Sequence, residues 1–299
     1  MCLSPSGAGL AIVEGQVRLT LTLLALAAAA AAPAARAGDT ACWLDQGVVV
    51  VPAEVLGVAG DYIFDTAAPT TLLGDTQAGG AGFAATSLAG QIRIAGLTLE
   101  TRPVEVARLD LRTGLFPTPI AGVIGADLLK AYVVDVSVSP CRVSIRRPGR
   151  APPFRARAVL PLRWIAGLPT VEASVSDGTR AWRGVFALAT GADTAVRLSD
   201  AVAQAPGAGK PQELFPYGVL RPKLRALGFA GDLYEGLPAG LIKAPDPALA
   251  GQIGAPLLAR YRLRFDFPRG RLLIAPAARP RPSGRRSARS GDSSHRAGR

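Results

Sequence analysis

The sequence predicts an all-β fold made of two homologous lobes, and three observations carry that expectation. Nearly half of the 299 residues are apolar, yet charged and aromatic side chains are sparse and Ala, Gly, Pro and Val dominate. That balance suits short strands joined by many turns better than a helical bundle. A 25-residue block recurs without gaps. A shorter block precedes each copy at nearly the same distance, which is the mark of an internal duplication.

The longer block reads AGVIGADLLKAYVVDVSVSPCRVSI over residues 121–145 and AGQIGAPLLARYRLRFDFPRGRLLI over 250–274, with ten of 25 positions identical. The shorter block reads YIFDTAAPTTLL over 62–73 and FALATGADTAVR over 186–197. The shifts are 124 and 129 residues, in the same order. Residues 38–145 are therefore expected to form the first lobe and residues 159–276 the second. Residues 146–158, rich in Arg and Pro, are the linker.

Within the lobes, β-branched and alternating runs read as strands over 47–56, 104–111, 160–175 and 182–188. Residues 91–101 read as a hairpin around Ala95-Gly96, and residues 221–234 turn at Gly231-Asp232. The long repeat itself reads as a turn, one helical turn over 127–131, and two strands.

The N-terminus reads as a targeting segment. Arg18 precedes the apolar run 19–33, and Ala35-Arg36-Ala37 has the small-x-small pattern of a cleavage site, so residues 1–37 are expected to be a secretory signal peptide. The run is short for a membrane span, and no transmembrane segment is expected after cleavage. Residues 1–16 fit the signal poorly; translation is expected to start at Val17. The mature chain is expected to be periplasmic or secreted. Export places Cys42 and Cys141 in an oxidising compartment, where a pair tends to bridge; two separate buried thiols are the alternative.

The net charge of +12 is concentrated at the other end: residues 279–299 hold seven arginines against one aspartate, half of the total. Residues 277–299 lack apolar periodicity and are expected to be a disordered basic tail. No aromatic residue interleaves with its arginines, so no nucleic-acid partner is expected.

The only histidine, His295, lies in that tail. Ser-His-Asp and Cys-His relays therefore have no base, and paired-histidine zinc chemistry has no ligands. Phosphate-binding and dinucleotide fingerprints are missing. No cofactor or metal is implied, and any hydrolysis must rest on carboxylates, lysines or hydroxyls.

An apolar strand ending in Asp65-Thr66-Ala67, then small residues and Leu72-Leu73, resembles the active-site loop of aspartic proteases. Val123-Ile124-Gly125 resembles the apolar-apolar-Gly element that packs beneath that loop, and Ile253-Gly254 repeats it. The likeness is to bacterial retropepsin-like aspartyl proteases, here with two lobes fused in one chain. It covers residues 47–274. It implies an acid-protease-like pair of β-barrel lobes with a cleft between them, an aspartic endopeptidase activity, and a peptide or unfolded protein as substrate. It makes Asp65 the catalytic carboxylate and assigns loop support to Thr66, Ala67, Thr190 and Gly191. Asp193 resembles a position that contacts substrate backbone, and the hairpin 91–101 falls where a covering flap would lie, with an ordinary structural hairpin as the alternative.

Two carboxylates held close cannot both ionise comfortably, so they share a proton. One then activates water as general base while the other protonates the amide as general acid. This chain departs from that plan twice. Ala67 replaces the usual Gly, a modest change. Ala189 stands where the second aspartate should be. Three readings stay open: a homodimer that pairs two copies of Asp65, a degenerate fold that binds peptide or a partner in the cell envelope, and weak hydrolysis by one carboxylate. Tyr132, Tyr261, Trp164 and Trp182 read as packing residues, and Asp127 as a helix cap.

Overall fold

The computed structural model describes residues 38–109, 111–209 and 223–277. The expected signal peptide and translation start, nearly all of the expected basic tail, and His295 lie outside the described residues. The first lobe contains strands β1 (Asp39–Ala41), β2 (Trp43–Asp45), β3 (Val48–Val55), β4 (Val58–Phe64), β5 (Leu72–Gly74), β6 (Ser87–Ile94), β7 (Leu97–Ala107), β8 (Ile120–Ile124), β9 (Val133–Val138) and β10 (Cys141–Arg146). Helix α1 (Asp75–Gly80) follows β5 and α2 (Ala126–Leu129) follows β8. The second lobe repeats the plan with β11 (Ala158–Pro161), β12 (Arg163–Ile165), β13 (Leu168–Ser176), β14 (Ala181–Ala189), β15 (Val196–Ser199), β16 (Lys223–Phe229), β17 (Asp232–Ile242), β18 (Leu249–Gly254), β19 (Tyr261–Asp266) and β20 (Arg271–Pro276). Helices α3 (Asp200–Ala203) and α4 (Ala255–Leu258) occupy the matching places.

The expected duplication is present strand for strand. One sheet runs β2-β3-β4-β8-β5-β7-β6 and closes through β3–β6; the other runs β12-β13-β14-β18-β15-β17-β16 and closes through β13–β16. Each closure makes a six-stranded barrel with no free edge, which removes the usual hazard of unpaired strand groups. The barrels fill with equivalent side chains: Tyr62, Phe64 and Ile124 in one, Phe186, Leu188 and Ile253 in the other, all fully buried. Burying one such side chain is worth roughly 1.5–3 kcal/mol.

Local chemistry explains most boundaries. The hairpin tips Ala95-Gly96 and Ala230-Gly231 have positive φ at both residues, the two-residue turn that matches strand twist and for which glycine is favoured at the second position. Strand β7 runs on to Ala107, so residues 104–111 are not a separate strand, and residues 111–115 coil into a short 3-10 turn. The run 160–175 is three strands rather than one. Leu162 leaves the ladder to donate to Gly270 O, and a turn at Ala166-Gly167 reverses the chain.

A third sheet, β1-β10-β9-β19-β20-β11, is shared by both lobes. At its centre β9 pairs antiparallel with β19, and Asp135 faces Arg264. These two positions are equivalents in the 129-residue repeat, so the local two-fold axis passes between them. Arg264 Nε and Nη2 grip the two Asp135 oxygens at 2.6 and 2.7 Å. The guanidinium also donates to Pro152 O at 2.6 Å and lies over the Phe154 ring, which anchors the linker. Cys42 and Cys141 form the expected disulfide, across 99 residues. Closing a loop of that length is worth about 4–5 kcal/mol in the chain-entropy account.

Replacing Asp135 by Arg would set two guanidinium groups against each other on the axis. Asp135→Arg is expected to lower unfolding free energy by roughly 3 kcal/mol or more, clearly more than Asp135→Asn, as read by denaturant titration.

Candidate active site between the lobes

The two loops that meet at the lobe junction are held from below by the second half of each repeat. Parallel pairing of β4 with β8 brings Phe64 beside Ile124. Asp65 N–H then donates to Ile124 O at 3.0 Å, and Ala126 N–H to Ala68 O at 2.7 Å. In the second lobe Ala255 N–H donates to Ala192 O at 2.9 Å. The glycines of these elements are required by close approach. A methyl group on Gly125 would lie 2.5 Å from Thr70 O, and one on Gly254 2.0 Å from Thr194 O.

Across the junction the loops exchange hydrogen bonds through their threonines. Thr66 N–H donates to Thr190 Oγ1 at 3.0 Å, and Thr190 Oγ1–H donates to Phe64 O at 2.6 Å. Reciprocally, Thr190 N–H donates to Thr66 Oγ1 at 3.4 Å, and Thr66 Oγ1–H donates to Leu188 O. Both threonines are buried. Each hydroxyl therefore satisfies one donor and one acceptor of the opposite lobe, where an unpaired buried group would cost about 1–3 kcal/mol.

Asp65 lies beside this exchange, half-buried. Its Oδ1 accepts from Ala67 N–H at 2.8 Å in its own loop and from Gly191 N–H at 3.1 Å in the other. A methyl group on Gly191 would come within 2.5 Å of the Asp65 carboxyl carbon, so only glycine lets that amide reach the carboxylate. The two-fold equivalent of Asp65 is Ala189, which is buried at 1% exposure.

The structure thus brings together Asp65, Thr66, Ala67, Thr190 and Gly191, with Ile124, Gly125, Ile253 and Gly254 beneath. Asp193 sits nearby, and its Oδ1 takes bonds from Arg197 at 2.5 Å and from the Thr194 hydroxyl at 3.1 Å. Beside Gly191 a small cleft of about 90 Å³ is lined by Gln46, Ile63, Leu115, Phe116, Gly191 and Asp193, among others. Gln46 Nε2 donates to Leu115 O at 3.4 Å, tying the loop after β7 to this edge. Sequence reasoning missed Gln46, Leu115 and Phe116. The available signal was an apolar Leu-Phe pair inside a Gly- and Pro-bounded loop.

Two expectations need correction. The hairpin 91–101 is not a flap over Asp65. Its tip residue Ala95 is buried, and Ala95 O accepts from Gly38 N–H beside the shared sheet. Asp127 is not the cap of α2: Gly125 holds the N-cap position with no side-chain bond. Asp127 Oδ1 instead accepts from Thr71 Oγ1–H at 2.9 Å, while Thr71 Oγ1 accepts from Gly125 N–H at 3.1 Å. Burial pushes the Asp127 carboxyl above its usual range, although the Thr71 bond opposes the shift. Pro256 and Ala195 replace this pair in the second lobe.

No protein-family model matches this sequence, and no curated protein matches it. Among solved structures it matches an aspartic proteinase from Irpex lacteus, with 13% identity over 81% of this chain and 97% of that one and a TM-score of 0.52. At that identity the likeness shows the fold: the two-lobed β-barrel architecture of an aspartic proteinase. Among the described residues no helix is long and apolar enough to cross a membrane.

Thr190→Val leaves Thr66 N–H and Phe64 O without their partner across the junction. It is expected to cost about 3 kcal/mol in denaturant unfolding. Asp127 gives a pH signature. Because its folded-state proton affinity is raised, the native state binds more protons than the unfolded state, and its ionisation removes stability as pH rises. Relative to Asp127→Asn, the wild-type chain should therefore lose stability between about pH 4 and neutrality, as measured by melting across that range.

Proposed function

We infer that this is an exported, retropepsin-like protein that holds extended peptide or unfolded protein in the inter-lobe cleft over Asp65, and that it is not a proficient endopeptidase. The observation that carries this reading is Ala189. The local symmetry puts a buried methyl where an intramolecular site needs its second carboxylate. Proton transfer by one such group is typically worth 10²–10⁴-fold in rate, and the shared-proton mechanism requires both. The disulfide supports export to an oxidising compartment, periplasmic or secreted. The Asp-Thr-Ala loop supports the bacterial retropepsin-like affiliation.

A homodimer that pairs two first lobes is disfavoured by the partnership of the lobes. Exchanging the second lobe for another first lobe would place Asp135 against Asp135 at the axis and lose the Arg264 grip. The second reading, slow hydrolysis by Asp65 alone, draws support from the care with which that carboxylate is kept. Two amides still hold it, and one of them demands a glycine.

The test is an incubation of denatured protein with the purified mature chain between about pH 3 and 7, the span over which carboxylate pairs titrate. The first reading expects the substrate to be bound but left intact, with Asp65→Asn binding as tightly as wild type. Cleavage blocked by statine inhibitors and abolished in Asp65→Asn would establish the second reading. No binding of denatured protein at any pH would remove the first.

A further inference from the structure

The two departures from the aspartic-protease pattern, Ala67 and Ala189, stand at positions whose two-fold counterparts, Gly191 and Asp65, lie in close contact. Residues 65, 66 and 67 correspond to 189, 190 and 191. Gly191 lies so close to Asp65 that an added methyl would meet its Cβ at 2.6 Å, its carboxyl carbon at 2.5 Å and Oδ2 at 2.6 Å. Contacts this short to a Cβ do not occur in real proteins. By the same two-fold, Ala67 is the counterpart of Gly191, and residue 189 is the counterpart of Asp65. Ala67 and Ala189 belong to one buried apolar cluster with Leu168, Ala187, Ala192 and Leu249. The exchange at the junction is lopsided: Thr66 N–H reaches Thr190 Oγ1 at 3.0 Å, and Thr190 N–H reaches Thr66 Oγ1 at 3.4 Å.

We propose that Ala67 and Ala189 are a matched pair: the Ala67 methyl fills the space a second carboxylate would occupy, so the site is built for one carboxylate and cannot regain a dyad by restoring the acid alone. An aspartate at 189 would have its carboxyl pressed against the Ala67 methyl in a packed junction, and overpacked cores respond by shifting backbone. Glycine at 67 removes the obstruction and lets the Ala67-position amide approach the new carboxylate, as Gly191 N–H now approaches Asp65. The inference rests on the reading of this junction as the substrate cleft, but its central claim concerns packing and is measured separately.

The experiment compares the mature chain with Ala189→Asp, Ala67→Gly, the double variant, and the double variant carrying Asp65→Asn. Melting temperature reads the contact. Ala189→Asp is expected to melt roughly 5 °C below wild type, and adding Ala67→Gly is expected to recover most of that loss although glycine alone is no stabiliser. Cleavage of denatured protein at acid pH reads the function. The double variant is expected to exceed wild type by about 10²-fold or more, dependent on Asp65, with Ala189→Asp alone far below it. Additive melting shifts, or equal cleavage by Ala189→Asp and the double variant, would overturn the pairing. Should wild type already cleave as fast as the double variant in an Asp65-dependent way, the non-cutting reading fails while the melting cycle still decides the pairing.

Discussion

The structure depends on the reciprocal hydrogen bonding of Thr66 and Thr190 at the lobe junction. These two hydroxyls are buried, and each serves an amide and a carbonyl that belong to the other lobe. Neither loop can satisfy its own backbone without its counterpart. Burial of unpaired groups is costly, so the lobes must dock in one register, and that register sets where every neighbouring atom falls. The approach of Gly191 to Asp65 and the placement of Ala189 are both consequences. Beneath, Gly125 and Gly254 leave no room for a side chain, which keeps each loop seated on its own barrel while it reaches across.

Around this junction the molecule is symmetric in backbone and asymmetric in side chains. The barrels share strand order, closure and core positions. Chemistry is divided unequally between them. The first lobe keeps the carboxylate and the Thr71–Asp127 link below it; the second supplies the glycine amide that completes the carboxylate's cradle. The likeness to a solved aspartic proteinase is one of fold, and the loop that carries Ala189 has the same backbone setting as the loop that carries Asp65.

Much of this was legible in the sequence because it is local or repeated. The gapless block over 121–145 and 250–274 gave the duplication, the paired Thr66 and Thr190 gave the loops, and Ala95-Gly96 gave a hairpin tip. The pairing of Cys42 with Cys141 was anticipated from the expectation of export. What was not legible depends on docking. The flap expectation failed because nothing in residues 91–101 says which surface their tip meets, and Gly38 is the partner. Asp127 read as a cap because its neighbours fit a helix start, while its real partner, Thr71, lies 56 residues away. The facing of Asp135 and Arg264 did leave a trace: the aligned repeats place opposite charges at the same position, which only becomes meaningful once β9 and β19 are known to cross there.

That crossing also bears on how such a molecule could change over time. A residue on the axis of a self-paired dimer must tolerate a copy of itself, because the two surfaces are one surface. Covalent fusion lifts that condition. The axis of this chain carries a carboxylate against a guanidinium, a combination no self-paired ancestor could present there. Once the halves had become complementary rather than identical, each was free to specialise, and Asp65 could stand in one loop with Ala189 at the matching place in the other.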